Sequence, residues 1–229
     1  MIISHSRKFI FIKSAKTAGT SLEAALSNYC GGSDVVTPLG DYEFNRDESG
    51  RWVHRAMNFD GFEQHEWGKT IRDRVGRDVW NEYFKFSIAR NPWDRVVSLF
   101  AWKTRNDPPP EGPKKKLLGR LGVPLDEMAE TRARFAQFVN GPWETNDRFY
   151  IIDGELCVDY VIRYERLAED TLEVCRRIGV PPIELPRLKS GFRAGHRHYS
   201  EYYDETTKGI VGDRHRLDLS LFGYRFEAV

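Results

Sequence analysis

The stretch FIKSAKTAGTSLEAAL, Phe11 to Leu26, constrains this chain most. An apolar strand runs into a loop of small residues and then into a helix with Leu22, Ala25, Leu26 and Tyr29 at helical spacing. A helix start presents unpaired N–H groups and a partial positive charge, and a tight loop before it adds further amides in a concave nest. Gly19 permits a close turn, Thr17, Thr20 and Ser21 bring hydroxyl groups, and Lys16 brings a full charge. The segment reads as an anion-binding junction. It departs from the triphosphate loop G-x-x-x-x-G-K-[ST]: the lysine precedes the glycine and no glycine opens the loop. No carboxylate stands at a strand end to hold magnesium, which weakens a kinase or ATPase reading.

With 229 residues the chain is long enough for one sizeable domain, and one domain over 1–229 is expected. Lys plus Arg number 35 against 34 Asp plus Glu, so no bulk electrostatic attraction to nucleic acid is expected. Cys30, Cys157 and Cys175 lack paired spacing, which argues against a disulfide framework and a structural zinc site. The run MIISHSRKFIFIKS is too short in apolar residues for a signal peptide, and no segment reads as a membrane span. A cytoplasmic protein is the expectation. Its oligomeric state is left open.

Strands are expected at Lys8–Lys13, Tyr83–Arg90 and Asp159–Leu167, and helices near 66–80 and 131–140. Asn91 suits an N-cap and Pro92 a first helical position. Leu172, Cys175 and Ile178 mark a further helix closed by Gly179, and the C-terminal part ends helical. Residues 31–62 read as irregular, and the Pro-, Gly- and Lys-rich 106–124 as a mobile surface loop. Strands alternating with helices imply an α/β fold, a P-loop-like parallel sheet flanked by helices on both faces. Ligands of such sheets lie beyond the carboxyl ends of the strands, so the junctions after Lys13 and Arg90 are expected to open onto one cleft.

The order Lys-Thr-Ala-Gly-Thr-Ser after a strand resembles the 5′-phosphosulfate loop of sulfotransferases that use 3′-phosphoadenosine 5′-phosphosulfate (PAPS). FKFSIARNPWDRVVS is similar to the family's 3′-phosphate segment, with Arg90 at the strand end and Ser98 two turns later. YVIRYERLAED, LPRLKSG and HYSEYYDETTKGIV also match, so the resemblance spans nearly the whole chain and points to the branch with carbohydrate and bacterial members. It implies the sulfotransferase fold, PAPS as co-substrate and no metal. By that resemblance Lys16 contacts the leaving phosphate–sulfate bridge, and Thr17, Ala18, Gly19, Thr20 and Ser21 supply amide and hydroxyl contacts. Arg90 and Ser98 take the 3′-phosphate, with Lys189, Gly191 and Arg193 in a second basic segment directed to the same group. Tyr164 falls where an aromatic meets adenine, or is a core tyrosine at a strand end.

Transfer to a hydroxyl needs a base, and histidine suits it near neutral pH. His65, in FEQHEWGKTIRD, is the first choice; His54, or the neighbouring Glu63 or Glu66, are alternatives. His196 and His198 lie in a basic aromatic stretch suited to contact with co-substrate or acceptor. The acceptor partner is expected to bear a hydroxyl, with carbohydrate as a candidate class. Two other readings stay open on sequence: a P-loop small-molecule kinase, and a non-catalytic nucleotide-binding protein.

Overall fold

The structure, a computed structural model, describes residues 1–39, 54, 56–107, 127–185 and 197–228. They fall into two compact units, one from Met1–Arg90 and Asn146–Leu188, the other from Asn91–Thr145 and Lys189–Val229. From 108 onward the loop expected at 106–124 lies outside the described residues. Among the described residues no helix is long and apolar enough to cross a membrane.

The first unit is built on a five-stranded sheet of order β3-β1-β2-β4-β7, from β1 (Ile2–Ser4), β2 (Phe9–Ile12), β3 (Val35–Val36), β4 (Phe84–Ala89) and β7 (Tyr160–Arg163). A separate hairpin joins β5 (Ile151–Ile152) and β6 (Glu155–Leu156). Strands β2, β4 and β7 are parallel, as the alternation of strands and helices implied. Every residue of β2 is buried, the mark of a strand covered on both faces.

The sheet is mixed, however, because β1 pairs antiparallel with both β2 and β3. The polar stretch between Ser4 and Phe9, with Lys8 at φ 54°, turns the chain straight back on itself. Such a short return permits only antiparallel pairing. The two-residue β3 falls in the region expected to be irregular and is too short to carry a periodic signal.

Among the described residues, the α-helices of this unit are α1 (Gly19–Ser27), α2 (Gly68–Glu82) and α5 (Leu167–Ile178). Helix α1 is buried nearly all round, and its Leu22 and Leu26 join Phe9, Phe11 and Phe86 in the core. In α5, Cys175 and Ile178 face the core as expected, while Leu172 is 49% exposed and does not. Gly179 closes the helix in the left-handed conformation (φ 67°), as expected of a C-cap glycine.

The second unit is helical, with α3 (Pro92–Lys103), α4 (Glu127–Asn140), α6 (Glu205–Arg214) and α7 (Arg216–Phe222). The Asn91 side chain accepts from Trp93 N–H at 3.1 Å, with Pro92 at the first turn, so the expected cap is present. Phe100, Phe135, Tyr202 and Val211 lie in its core.

Candidate active site

The site is built where the three parallel strands end. Ile12 pairs with Ser87, and Ala89 pairs with Arg163. The residues that follow on three neighbouring strands, Lys13, Arg90 and Tyr164, therefore leave the sheet on one edge. The Ala89–Arg163 pairing puts Arg90 beside Tyr164, and the guanidinium carbon lies 4.0 Å from the ring centre. Arg90 Nη1 also donates to the Lys16 carbonyl at 3.0 Å. The two strand-to-helix junctions, expected to open onto one cleft, thus meet directly.

The loop from Ser14 to Ser21 is held from behind. Ser14 Oγ donates to the Ile88 carbonyl at 2.5 Å, so the Thr17 hydroxyl, 2.8 Å away, donates to Ser14 Oγ. Thr17 is fully buried, and its hydroxyl proton is engaged inside the loop. Asn146 Nδ2 donates to the Ala15 carbonyl at 2.8 Å. Lys16 (φ 64°) and Ala18 (φ 66°) both adopt the left-handed backbone, a strained state for residues with a side chain. None of the described residues accepts a hydrogen bond from the main-chain N–H groups of Thr17, Ala18, Gly19 or Thr20. Four donors thus remain at the start of α1, beside the half-buried Lys16.

Gly19 is needed for a reason the sequence did not show. A Cβ there would stand 2.8 Å from Lys13 Cγ and 3.3 Å from the Ser14 carbonyl. The Lys13 side chain runs under the loop, and only a glycine leaves it room. Its Nζ reaches Glu23 Oε2 at 2.7 Å and Gln64 Oε1 at 3.1 Å, with both charged side chains essentially unexposed. Glu23 also meets the Met1 amino group at 2.6 Å and the Thr37 hydroxyl at 2.7 Å. Burial alone would raise the Glu23 pKa; the Met1 amino group and Lys13 outweigh it and hold the carboxyl below its usual range. Lys13 is therefore neutralised beneath the loop by Glu23, and the half-buried Lys16 is the second lysine of the junction.

His65 lies at the same junction. Its Nδ1 is 3.0 Å from the Lys13 carbonyl. A carbonyl oxygen only accepts, so Nδ1 carries the proton and Nε2 carries the lone pair. Burial, and secondly the Lys13 charge, push the His65 pKa down to about 3. The imidazole is neutral at pH 7 with a fixed tautomer. His54 is the other histidine in this region: its Nε2 is buried 4.0 Å from Glu23 Oε1, and burial lowers its pKa. Glu63 is exposed, and Glu66 faces Arg74 at 3.7 Å.

Ser98 lies on α3 in the second unit, half-buried. Lys189, Gly191, Arg193 and His196 lie outside the described residues. His198 caps the turn Tyr199–Tyr202, its Nδ1 2.8 Å from Ser200 Oγ.

The sequence profile of the sulfotransferase family matches residues 1–225. The chain belongs to the sulfotransferase family. An uncharacterized protein of Archaeoglobus fulgidus is 28% identical over 111 residues, which cover 48% of this chain and 80% of that protein. No solved structure matches the chain.

Membership makes this sulfotransferase an enzyme and implies transfer of a sulfuryl group from PAPS. The residues at the loop fit a doubly anionic phosphosulfate, since four amides with no acceptor among the described residues and Lys16 stand at one helix start. Lys13, Glu23, Gln64 and Asn146 were not singled out from sequence. A faint signal existed for two of them: Lys13 ends an all-apolar strand, and Glu23 interrupts the small and apolar run SLEAAL. Asn146 had none, being a single polar residue 131 positions from its partner.

Proposed function

We propose that this sulfotransferase moves the sulfuryl group of PAPS to an acceptor hydroxyl, with carbohydrate as the candidate acceptor class. The observation that carries the reading is the pairing, at one strand end, of an amide-lined loop with an imidazole whose unprotonated nitrogen is fixed by the Lys13 carbonyl. The acceptor oxygen attacks sulfur and its proton passes to His65 Nε2. The bond between sulfur and the bridging oxygen breaks, and 3′-phosphoadenosine 5′-phosphate leaves. Lys16 and the amides of Thr17, Ala18, Gly19 and Thr20 stabilise the charge growing on that oxygen, with Ser21 adding its hydroxyl. A sulfuryl group carries less charge than a phosphoryl group, so these dipoles and one lysine suffice without a metal.

Tyr164 supports the adenine. Arg90 and Ser98 bind the 3′-phosphate, joined by Lys189, Gly191 and Arg193. Arginine suits a terminal phosphate because its planar donors make charge-assisted contacts.

Two measurements test this. Thermal shift with 3′-phosphoadenosine 5′-phosphate is compared with ATP plus magnesium, and stabilisation by ATP plus magnesium alone overturns the reading. Labelled PAPS is then incubated with a panel of sugars, phenols and amines. Label on a sugar hydroxyl supports the carbohydrate class, and transfer confined to amines removes the hydroxyl assignment.

A further inference from the structure

Gln64 and His65 form a turn ahead of α2, outside any strand or helix. A group carried on such a segment is placed less precisely than one on regular structure, unless further contacts lock it. Lys13 supplies two contacts to these two consecutive residues. Its carbonyl accepts from His65 Nδ1 at 3.0 Å, and its ammonium donates to Gln64 Oε1 at 3.1 Å. An ammonium only donates, so the Gln64 amide turns its oxygen toward Lys13. Lys13 is itself fixed: it is fully buried, directly follows β2, and its Nζ meets Glu23 Oε2 at 2.7 Å. The Gln64 carbonyl also accepts from the Met1 amino group, at the longer distance of 3.3 Å. The two Lys13 contacts close a ring through the Gln64–His65 peptide. With the Gln64 bond made, the His65 bond forms as an intramolecular step, at a smaller entropic cost.

We infer that Gln64 is a positioning residue, which holds the His65 ring on the Lys13 carbonyl by anchoring the preceding position to the Lys13 ammonium. It acts through His65 and not on the reacting atoms. A neutral amide suits the task, because Lys13 is already paired with Glu23 and a second carboxylate beside that pair would add uncompensated charge. The effect on catalysis rests on the reading that His65 takes the acceptor proton, but the placement of the ring is tested without it.

The test uses Q64M, which keeps the side-chain length and removes the acceptor, and Q64E, which returns an acceptor oxygen to Lys13, both in the full chain. Q64N, one methylene shorter, serves the same comparison if Q64M fails to fold. Imidazole nitrogen NMR above neutral pH reports the tautomers, with H65Q identifying the His65 signals. Wild type and Q64E are expected to show one His65 tautomer, protonated at Nδ1, and Q64M a mixture with the Nε2-protonated form. A Q64M that keeps the Nδ1–H form alone, or a Q64E that behaves as Q64M, overturns the inference. Q64M is also expected to lower kcat by about 10–10²-fold, as for a reacting group displaced by about 1 Å, and to leave KM for PAPS within about twofold. In an H65Q background the same substitution is expected to change kcat by less than about twofold, because a residue that acts through His65 then has nothing to act on. An equal loss in both backgrounds means that Gln64 merely supports the fold, and overturns the inference. Equal kcat in wild type and H65Q counts against His65 as the base alone, because the spectra still report the placement of the ring.

Discussion

His65 gives its Nδ1 proton to the main-chain carbonyl of Lys13 across 3.0 Å. In the proposed mechanism the contact couples the base to the loop, because the residue that opens the loop also sets the tautomer of the imidazole proposed to take the proton. With its pKa pushed down to about 3, His65 is already in the basic form well below neutral pH. The acid limit of kcat/KM set by this group is therefore expected near 3, and not near the ordinary histidine value of about 6.5. A pH–rate profile with a limb near 6.5 that disappears in H65Q would show that His65 titrates normally. Replacement by alanine is expected to lower kcat by about 10²–10⁴-fold.

The same shift makes stability depend on pH. Between about 3 and about 6.5 the unfolded chain binds a proton at His65 that the folded chain refuses. Stability therefore rises with pH across that window, and the His65 contribution is lost as pH falls from 6.5 toward 3. Its slope cannot exceed about 1.4 kcal/mol per pH unit, one proton's worth. Urea unfolding of wild type and H65Q from pH 7 to 4 checks this. Parallel stability curves for the two proteins would contradict it.

Lys16→Ala is expected to lower turnover more than affinity for PAPS, because its charge matters most as the sulfate bond breaks. Activity is expected to survive EDTA for the same reason. A variant with weaker PAPS binding and unchanged kcat would reduce Lys16 to a donor-binding residue. Loss of activity on chelation, restored by magnesium, would refute the metal-free mechanism.

Arg90→Ala is expected to weaken 3′-phosphoadenosine 5′-phosphate by one to two powers of ten, from about 1.5–3 kcal/mol for a charge-assisted contact. Ser98→Ala costs less, about 0.5–1.5 kcal/mol. An analogue without the 3′-phosphate should be insensitive to Ser98→Ala. It should still respond to Arg90→Ala in part, because Arg90 also holds the Lys16 carbonyl and stacks on Tyr164. Equal sensitivity of both ligands to Ser98→Ala in titration would remove Ser98 from the 3′-phosphate site.

The Lys13–Glu23 pair is buried on both sides, so removing one partner strands a charge in the core. Each of Lys13→Met and Glu23→Gln is expected to destabilise the fold by about 3–5 kcal/mol. The double variant Lys13→Met/Glu23→Gln is expected to lose less than the sum. Chemical denaturation of the three variants gives the coupling, and additive losses would mean that the two side chains act independently.

What the sequence by itself determined is local. The strand–loop–helix from Phe9 to Ser27, the Asn91 cap with Pro92 behind it, and the Gly179 stop all depend on neighbours within a few positions. Such signals survive in a linear reading because the partner groups lie within one or two turns of chain. The parallel β2-β4-β7 core was legible for a related reason, since strands separated by helices leave few other ways to pair. Only the tertiary structure decided the antiparallel return of β1, the burial of Lys13 against Glu23, and the inward use of the Thr17 hydroxyl. It alone decided which carbonyls of the loop are held by His65, Arg90 and Asn146, from 52 to 131 positions away. A hydrogen bond across that distance leaves no periodic trace in the sequence. It exists because strand order brings the carboxyl ends of three strands to one edge, where a polar side chain from any segment that passes can meet the loop.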